Sequence, residues 1–429
     1  MSTTPTPHTP GAPDLLTPDV LIIGAGPAGL TAAARLAPRV AGEVLVVDRE
    51  AEAGGIPRHS DHTGYGLRDL RRVMTGPRYA RHLTERALAA GAVIRTRTMV
   101  TGWAADDTVE VTSPQGRLHI RARAIVLATG ARERPRPARR IPGDRPHGVY
   151  TTGQLQNIVH LHHGKVGKRA VVVGGELVSW SAVLTLREAG CDTALMVSRY
   201  AKAESYAAFT LPGRTVLGVP VATRARVTRV IGKGRLTGVE IENLDTRARR
   251  VVACDTVVFT GDWIPDHELA RAAGIDLDPR TLGPLVDTAL RTSRPGVYAA
   301  GNLLHPVDTA DIAALDGKHV ADQVLHRLAG TDTAPGGPGE GVRVHAEGAL
   351  RWIAPGLLRP GDPAPPRNRL LLWTDEFVRV PRVTVRQDGR VVARRTLPWP
   401  AAPGRVLRIP WSVMKDVDRH GGPVTVGVT

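Results

Sequence analysis

The chain has 429 residues, of which 42% are hydrophobic, so it is too long for one ordinary domain and apolar enough for several cores. Its formal net charge is +16, and only six of its 57 basic residues are Lys, the rest being Arg. The Arg residues are scattered along the chain, and no nucleic-acid reading module is visible. We therefore expect no nucleic-acid partner. We interpret the charge as a compositional bias and leave an anionic substrate or partner open.

The two cysteines, Cys191 and Cys254, lie far apart and form no C-x-x-C pair, which excludes a redox-active dithiol and an iron–sulfur ligand set. We expect two buried free thiols in a reducing compartment. Residues 1–18 are rich in Thr and Pro and hold no apolar core of signal-peptide length, which predicts a disordered tail. Since no apolar run is long enough for a membrane span, we expect a soluble cytoplasmic protein.

The strongest motif lies near the start of the chain, where the apolar run Val20–Ile23 predicts a buried strand. Glycines follow at G-x-G-x-x-G spacing, at Gly24, Gly26 and Gly29. The first permits a tight turn, the second lets the backbone approach a pyrophosphate, and the third lets the next helix pack closely. A helical stretch from Leu30 to Leu36 and a second strand, Val44–Val47, complete the unit. Asp48 then stands where a ribose hydroxyl would bond, so we predict a dinucleotide site.

Further elements of this first unit follow in chain order. The patterns predict a helix over Tyr79–Ala90, a strand over Val93–Val100, a hairpin of Thr108–Thr112 with Arg117–Arg123, and a buried strand over Ala124–Gly130.

A second strand–turn–helix pattern starts at Arg169. Its predicted elements are a strand at Ala170–Val173, a turn at Gly174–Ser179, a helix at Ala182–Ala189 and a strand at Thr193–Val197. In this turn Glu176 replaces the second glycine, and a carboxylate there would obstruct and repel a pyrophosphate. Against that, Arg199 follows the second strand, where an adenosine 2′-phosphate could pair with it. A decayed site and a modified NADPH site both stay open.

Beyond a Pro/Gly/Asp-rich stretch the pattern changes to short strands with many prolines. Strands are predicted at Arg369–Trp373, Arg382–Gln387, Val391–Thr396, Val406–Pro410 and Pro423–Val428. The predicted fold class is α/β, with two Rossmann-like dinucleotide-binding domains, the second inserted in the first, plus a small C-terminal all-β domain. The predicted bounds are 19–140 with 284–330, 141–283, a linker at 331–341, and 342–429.

With the two turns, Ala128-Thr129-Gly130 and the late Gly301-Asn302 in place, residues 19–330 resemble the two-dinucleotide-domain flavoproteins of the thioredoxin reductase and glutathione reductase superfamily. The resemblance implies FAD in the first domain. It implies cofactor contacts from Gly24, Gly26, Pro27, Ala28, Gly29, Asp48, Arg49, Gly55, Val100, Ala128, Thr129, Gly130, Gly301, Asn302, Thr309 and Ala310. The family's late Asp is Asn302 here, which can still bond a ribityl hydroxyl, though more weakly.

The missing dithiol departs from the family's disulfide reductases and excludes that chemistry. The chain then looks most like the cysteine-free opine oxidase, hydrogen cyanide synthase and anaerobic glycerol-3-phosphate dehydrogenase type, where such a chain is commonly one subunit of a larger dehydrogenase. This likeness rests on the run Gly54–Ser60, the C-terminal extension and the absent cysteines.

Three residues are candidates for catalysis. His59 lies in the loop that this resemblance places near the flavin, where an imidazole with a pKa near neutrality could take a proton from an amine or alcohol. Arg58 could hold a carboxylate or stabilise reduced flavin, and a surface loop is the alternative for both. His305 precedes a helix beginning near Thr309, whose N-terminus is expected to favour negative charge on the reduced ring. His162 and His163 have no partner ligands at metal spacing, so no metal is expected.

We expect an FAD-dependent oxidoreductase that moves hydride from a small amine, amino acid or hydroxy acid to flavin. Electrons would pass to oxygen, a quinone or a partner subunit. Two alternatives stay open: an NAD(P)H-dependent reductase that feeds an acceptor protein, and a noncatalytic FAD-holding subunit of a multi-subunit dehydrogenase.

Overall fold

The computed structural model describes residues 14–305, 307–331 and 340–429. In these ranges the helices are, in chain order, α1 Pro27–Leu36, α2 Gly76–Ala89, α3 Thr152–Gln156, α4 Leu177–Glu188, α5 Ala207–Thr215, α6 Glu268–Ala272 and α7 Ala310–Leu328. Short 3-10 segments lie at Ile56–His59, Arg136–Arg139, Gly301–Leu303, Pro366–Asn368 and Trp411–Met414, and Asn157–Leu161 is π-helical. None of the described helices combines the length and the apolarity needed to cross a bilayer.

The first parallel sheet is built around the strand that precedes the first glycine turn. Its strands, in spatial order, are Val297–Ala299, Ala124–Leu127, Val20–Ile23, Val44–Val47 and Val93–Arg95, and each neighbouring pair is parallel. Helices α1 and α7 pack on each other, and their apolar side chains share one core with the strands. The glycine turn leaves the carboxyl end of the central strand, the edge where such sheets bind ligands.

A four-stranded sheet lies beside it and corrects two sequence predictions. Its order is Asp14–Leu16, Gly116–Arg121, Thr108–Ser113 and Met99–Ala105. Asp14–Leu16 pairs with Leu118–Ile120, so this part of the predicted tail is ordered by backbone hydrogen bonds, while residues 1–13 lie outside the described chain. The predicted strand Val93–Val100 is wrong as one element, because Arg97 takes a left-handed φ of 51° and its two halves join different sheets.

The second parallel sheet is formed by residues inserted between two neighbouring strands of the first. Its order is Val149–Thr151, Thr256–Phe259, Arg169–Val173, Asp192–Val197 and Val221–Ala222, and it is flanked by an antiparallel sheet of Ala225–Ile231, Gly238–Asn243 and Arg249–Ala253. Short pairs join Ala131–Glu133 to Trp263–Pro265 and Thr63–Tyr65 to Met74–Thr75. The predicted fold class is confirmed, whereas the exact domain bounds stay predictions.

The C-terminal strands form two sheets around their own apolar core. The larger sheet contains Leu357–Leu358, Val342–Gly348, Val424–Val428, Arg382–Gln387 and Arg390–Thr396, and the smaller contains Leu350–Ala354, Arg369–Thr374 and Leu407–Pro410. All five predicted strands are present, with shifts of one residue at their ends. The three strands between 342 and 358 were missed, and the predicted linker lies largely at 332–339, outside the described residues.

Helix ends differ more from prediction than strand ends. Helix α2 starts at Gly76 rather than Tyr79, and α4 starts at Leu177 rather than Ala182. Both helices absorb residues that the sequence pattern assigned to the preceding loop or turn. The earlier start of α4 makes Glu176 its N-cap residue, which bears on the second turn.

Candidate functional site

The first glycine turn is shaped to accept a phosphate. Gly24 has a φ of 110°, and a Cβ there would lie 2.4 Å from the Ala128 oxygen. A Cβ on Gly29 would lie 2.0 Å from the Gly24 oxygen, whereas one on Gly26 would meet nothing within 4 Å. Gly26 is the N-cap of α1, has no side-chain cap, and is followed by Pro27 and Ala28. The space beside Gly26 at the start of α1 is therefore open, which fits the pyrophosphate of FAD.

Asp48 holds this turn in place. Its Oδ2 accepts a hydrogen bond from the Ala25 N–H at 2.7 Å, and its Oδ1 accepts one from the Glu50 N–H at 2.8 Å. The carboxylate thus lies at the turn as predicted, although its first task in the structure is to bind backbone. Arg49 is exposed and pairs with Asp266 at 3.2 Å.

The loop after the second strand lies directly over the turn. The Gly54 N–H donates to the Ala25 oxygen at 2.8 Å, and a Cβ on Gly55 would lie 2.9 Å from the Gly26 Cα. This contact brings the 3-10 segment Ile56–His59 next to the turn. The sequence-predicted loop and turn therefore belong to one site.

The Ala-Thr-Gly strand end forms another wall of this site. The Ala128 N–H donates to the Ile23 oxygen at 2.8 Å, and the Thr129 hydroxyl donates to the Asp266 oxygen at 2.8 Å. A Cβ on Gly130 would meet nothing within 4 Å, so space remains at this end of the strand. Val100 is buried in the first core, where its side chain packs against protein.

The late motif meets the start of α1. A Cβ on Gly301 would lie 2.9 Å from the Ala28 Cβ, which places Gly301 against the first turn. Asn302 donates from Nδ2 to the Asp308 backbone oxygen at 3.0 Å and accepts at Oδ1 from the Asp308 N–H at 3.2 Å. Both polar groups of the Asn302 amide therefore close the 302–308 loop. The predicted ribityl bond stays a prediction, and it would have to form alongside these contacts.

The N-terminus of α7 holds a carboxylate that sequence reasoning missed. Thr309 is the N-cap and Ala310 the first helical residue, as the sequence suggested. In the first turn, Asp311 is 2% exposed and accepts hydrogen bonds from the Arg68 N–H at 3.0 Å and the Ile312 N–H at 3.1 Å. The Asp311 carboxylate already offsets part of the positive end of the α7 dipole. Less of that positive potential therefore remains to stabilise a reduced flavin.

His59 is buried among polar side chains where the loop meets α3 and α4. Burial, more than any other cause, lowers its pKa from 6.5 to about 4, and a hydrogen bond with Gln156 opposes this only in part. Its Nδ1 is buried without a hydrogen-bond partner among the described atoms. Gln156 also donates to the Ser181 Oγ at 2.8 Å and to the Ser60 Oγ at 3.4 Å. The pKa of His59 thus lies below the near-neutral value expected from the sequence, because desolvation disfavours the imidazolium, while its role as a base stays a prediction.

Gln156, Ser60 and Ser181 were missed because nothing in the sequence ties α3 and α4 to a loop about a hundred residues earlier. Only the packing of α3 and α4 against the loop reveals that these three side chains form one hydrogen-bonded group. Ser60 also lies 3.0 Å from His62 Nε2, so the loop carries a second imidazole within the same hydrogen-bonded group.

Of the other two catalytic candidates, Arg58 lies in the same 3-10 segment as His59, whereas His305 lies elsewhere. Arg58 bonds the Glu52 backbone oxygen and lies 3.5 Å from the Glu52 carboxylate, so it ties the loop to itself. His305 is 2% exposed, stacks on Trp352 with 5.5 Å between ring centroids, and lies 3.9 Å from Asp316. Burial lowers its pKa. The structure thus places His305 against the C-terminal strands, with partners different from those of His59.

The second glycine turn differs from the first. Gly174 keeps a positive φ of 137°, but the N-cap of α4 is Glu176, whose N–H donates to the Ser179 Oγ at 3.2 Å. Burial, followed by repulsion from Glu204, raises the pKa of Glu176 to about 8. A side chain with an acid group fills the position that Gly26 leaves open.

Both cysteines are free and buried, as the sequence predicted. Cys191 packs in the cluster around α4 and Cys254 in the cluster under the neighbouring antiparallel sheet. Burial raises the pKa of the Cys191 thiol to about 11 and that of Cys254 to about 12. Neither thiol forms a thiolate at neutral pH, and thiolate is the reactive species.

Comparison with known proteins agrees with this geometry. Residues 18–317 match the family described as pyridine nucleotide-disulphide oxidoreductase. The chain is 28% identical over 302 residues to thioredoxin reductase of Treponema pallidum, covering 66% of this chain and 88% of the relative. It is 27% identical over 339 residues to one of the subunits of opine oxidase of Agrobacterium tumefaciens, covering 71% of this chain and 64% of that relative.

Among solved structures, the thioredoxin reductase of T. acidophilum matches with a TM-score of 0.63 at 23% identity. That match covers 73% of this chain and 99% of the other. It supports the two-sheet fold of the first three quarters of the chain, and the C-terminal strands lie largely beyond it.

Proposed function

The chain belongs to the pyridine nucleotide-disulphide oxidoreductase family, whose cofactor is FAD, and we propose that it oxidises a small amine, amino acid or hydroxy acid without passing electrons through cysteine. The observation that carries this proposal is the location of its two thiols. Cys191 and Cys254 are buried in apolar clusters of the second parallel sheet and the antiparallel sheet beside it, and neither belongs to the turn or loop of the first site. In this proposal the substrate delivers its electrons to the flavin directly.

Oxidation at carbon removes a hydride from the carbon beside nitrogen or oxygen and a proton from the heteroatom. FAD, when bound, supplies the hydride acceptor. The tasks left to the chain are to orient the substrate and to take the proton. His59 suits the second task, because its imidazole is neutral at pH 7 and its Nδ1 has no partner among the described atoms.

The low pKa of His59 limits what it contributes. A base with a pKa of about 4 is weak, so we expect its effect on rate at the lower end of the ~10²–10⁴-fold range of general base catalysis. Ser60 and Gln156 border the same pocket and offer hydroxyl and amide groups for orienting a polar substrate.

Among the possible donors, the likeness to the opine oxidase relative favours amine oxidation. That relative is one of several subunits by its name, and this chain spans 64% of its length. We therefore propose a partner subunit that receives electrons or completes the donor site, with oxygen and a quinone as the other acceptors. If the chain is inert without its partner, it is an FAD-holding subunit rather than the catalytic one.

A second candidate is an NAD(P)H-driven reductase that feeds an acceptor protein. It is favoured by the thioredoxin reductase relative, of which the match covers 88%, and by the presence of the second parallel sheet. The filled second turn is the observation against it.

Anaerobic reduction of the purified FAD-loaded chain tests the proposal. The flavin's visible absorbance is followed after mixing with opine-type secondary amines, amino acids, hydroxy acids, NADH and NADPH, each in separate runs. Bleaching by an amine or hydroxy acid supports the proposal. Bleaching by a nicotinamide nucleotide alone supports the second candidate and contradicts the first.

A further inference from the structure

Carboxylates of the chain itself fill the second glycine turn. A Cβ added to Gly261 would lie 2.0 Å from Glu176 Oε1, and one added to Gly175 would lie 2.3 Å from Glu204 Oε2. Glu204 is 3% exposed and comes from the segment after the second strand of this unit. The two side chains occupy the turn from both sides, where a dinucleotide's pyrophosphate would approach the backbone and the start of α4.

The surroundings support these carboxylates as permanent occupants. Ser198 Oγ donates to Glu204 Oε2 at 2.8 Å. Arg139 reaches the same place, donating to the Gly261 oxygen at 2.6 Å, and its positive charge favours ionised Glu176. Hydrogen bonds and a nearby cation thus hold two acid side chains at a helix N-terminus, a position that normally binds a phosphate.

The C-terminal strands cover the filled turn with the segment 401–405. A Cβ on Gly404 would lie 2.6 Å from the Glu204 Cβ and 3.1 Å from the Glu176 Cγ, so the backbone of Gly404 packs on both side chains. Arg405 donates to the backbone oxygens of Glu204 at 2.7 Å and Ser205 at 2.5 Å. Its guanidinium also lies over the Tyr206 ring, 4.2 Å from the centroid.

Arg199, the residue that suggested an NADPH site, contacts protein groups instead. Arg199 bonds the Tyr200 hydroxyl at 2.7 Å and lies 4.0 Å from Asp375, a residue of the C-terminal part. Tyr200 in turn donates to Asp375 at 3.3 Å and meets the ring of Phe377 edge-on. The guanidinium expected to pair with a 2′-phosphate is therefore engaged by protein.

We propose that the side chains of Glu176 and Glu204 fill the second Rossmann turn and that the 401–405 segment caps it, so that neither NADH nor NADPH binds there. The second parallel sheet then acts as a platform that holds the C-terminal strands. This inference concerns the second turn alone and stands whether or not the donor at the first site is an amine.

Equilibrium binding of NADPH and NADH to the FAD-loaded full chain tests it, by calorimetry rather than by activity. We expect no saturable binding at millimolar nucleotide. Saturable binding of one nucleotide per chain, in competition with the corresponding adenosine diphosphate fragment, would overturn the proposal.

Variants determine whether the named groups cause the exclusion. The triple variant Glu176→Gly, Glu204→Ala, Arg405→Ala removes the carboxylates and loosens the cap, and we expect it to gain measurable NADPH binding. The control variant Glu43→Ala with Glu85→Ala, at two exposed positions, removes the same number of acidic side chains. We expect it to gain no NADPH binding. A folded, FAD-loaded triple variant that still binds no nucleotide would show that other residues exclude it. That result would also overturn the proposal.

Discussion

The two parallel sheets of this chain carry the same strand–turn–helix unit but differ in whether the space above the turn is open or filled. Gly26 leaves that space open in the first unit, while Glu176 fills it in the second. At the third position, Gly29 lets α1 pack against the strand, whereas Ser179 bonds Thr260 across the second turn at 2.6 Å. One fold thus supports a cofactor site in one copy and a surface for protein packing in the other, and a few side chains make the difference.

The cover over each turn differs as well. A short glycine loop at residues 54 and 55 lies over the first and leaves backbone exposed to a ligand. Over the second lies a segment from a separate set of strands, held by Arg405. The first cover brings His59 to the site, while the second brings no described group that could serve hydride chemistry. The comparison predicts that making the first turn like the second destroys its function.

Gly26→Glu makes that conversion and has the largest expected effect. The carboxylate would stand at the N-terminus of α1, where it blocks and repels a pyrophosphate. We expect loss of FAD from the purified protein, measured by the flavin absorbance per chain. Leu88→Glu, at an exposed position of α2, adds the same charge and is expected to keep full occupancy. Full flavin content in Gly26→Glu would disprove the assignment of this site.

His59→Ala leaves the turn intact and tests the chemistry beside it. We expect flavin reduction by the true donor to slow by on the order of a hundredfold, because the proton acceptor is lost, with FAD content unchanged. Rapid mixing under anaerobic conditions measures the rate. His119→Ala, on a strand of the four-stranded sheet, is the control. An unchanged rate in His59→Ala would leave the imidazole as a packing residue.

Glu176→Gln tests the acid group of the second turn through pH. Burial and Glu204 raise its pKa to about 8 in the folded chain, against about 4.3 in an unfolded one. Between these two pH values Glu176 is protonated in the folded state and ionised in the unfolded state. The free energy of unfolding therefore falls as the pH rises through this range. The charges facing it are Arg139, which favours ionisation, and Glu204, Glu133 and Asp262, which oppose it.

Glu176→Gln should remove that part of the pH dependence. Between pH 5 and pH 9 we expect the unfolding free energy of the wild type to fall by at least about 1.4 kcal/mol more than that of the variant. This is the equivalent of one pKa unit. Urea unfolding at both pH values gives the comparison. Parallel stability curves for the two proteins would show that Glu176 titrates normally.

Arg405→Ala has the smallest expected effect and tests the cap. Loss of two hydrogen bonds and a cation–π contact should lower the free energy of unfolding by about 1–3 kcal/mol. Urea unfolding measures this, with the exposed Arg395→Ala on the strand Arg390–Thr396 as control. Equal stability of the two variants would mean that the 401–405 segment is held by other contacts.

Much of the fold could be predicted because its signals are local. Apolar runs such as Val20–Ile23 and glycine spacings specify the buried strands and turns within a few residues. The C-terminal strand Val342–Gly348 was missed although it alternates between buried and less buried positions, because it follows directly on a Pro/Gly-rich stretch. The strand break at Arg97 depends on which sheet each half joins, and that is settled by packing distant in sequence.

The candidate site could be predicted only where it is one contiguous motif. The first turn and Asp48 follow from spacing, and the structure places them together. The low pKa of His59 could not be foreseen, because it results from burial against α3. In the second turn, Glu176 was visible in the sequence as an obstacle. Its partner Glu204, 28 residues along the chain, and the cap at Gly404, 200 residues beyond Glu204, become visible only when the folded segments meet.

The central claim is that the first turn is open and the second closed, and anaerobic stopped-flow reduction tests it most directly. The FAD-loaded chain is mixed with NADPH, with NADH and with the amine and hydroxy-acid donors in turn, and the flavin absorbance is followed. We expect the nicotinamide nucleotides to leave the flavin oxidised, while one of the organic donors bleaches it. Rapid, saturable bleaching by NADPH would contradict the central claim, because it would show that nucleotide reaches the second turn past Glu176, Glu204 and the cap.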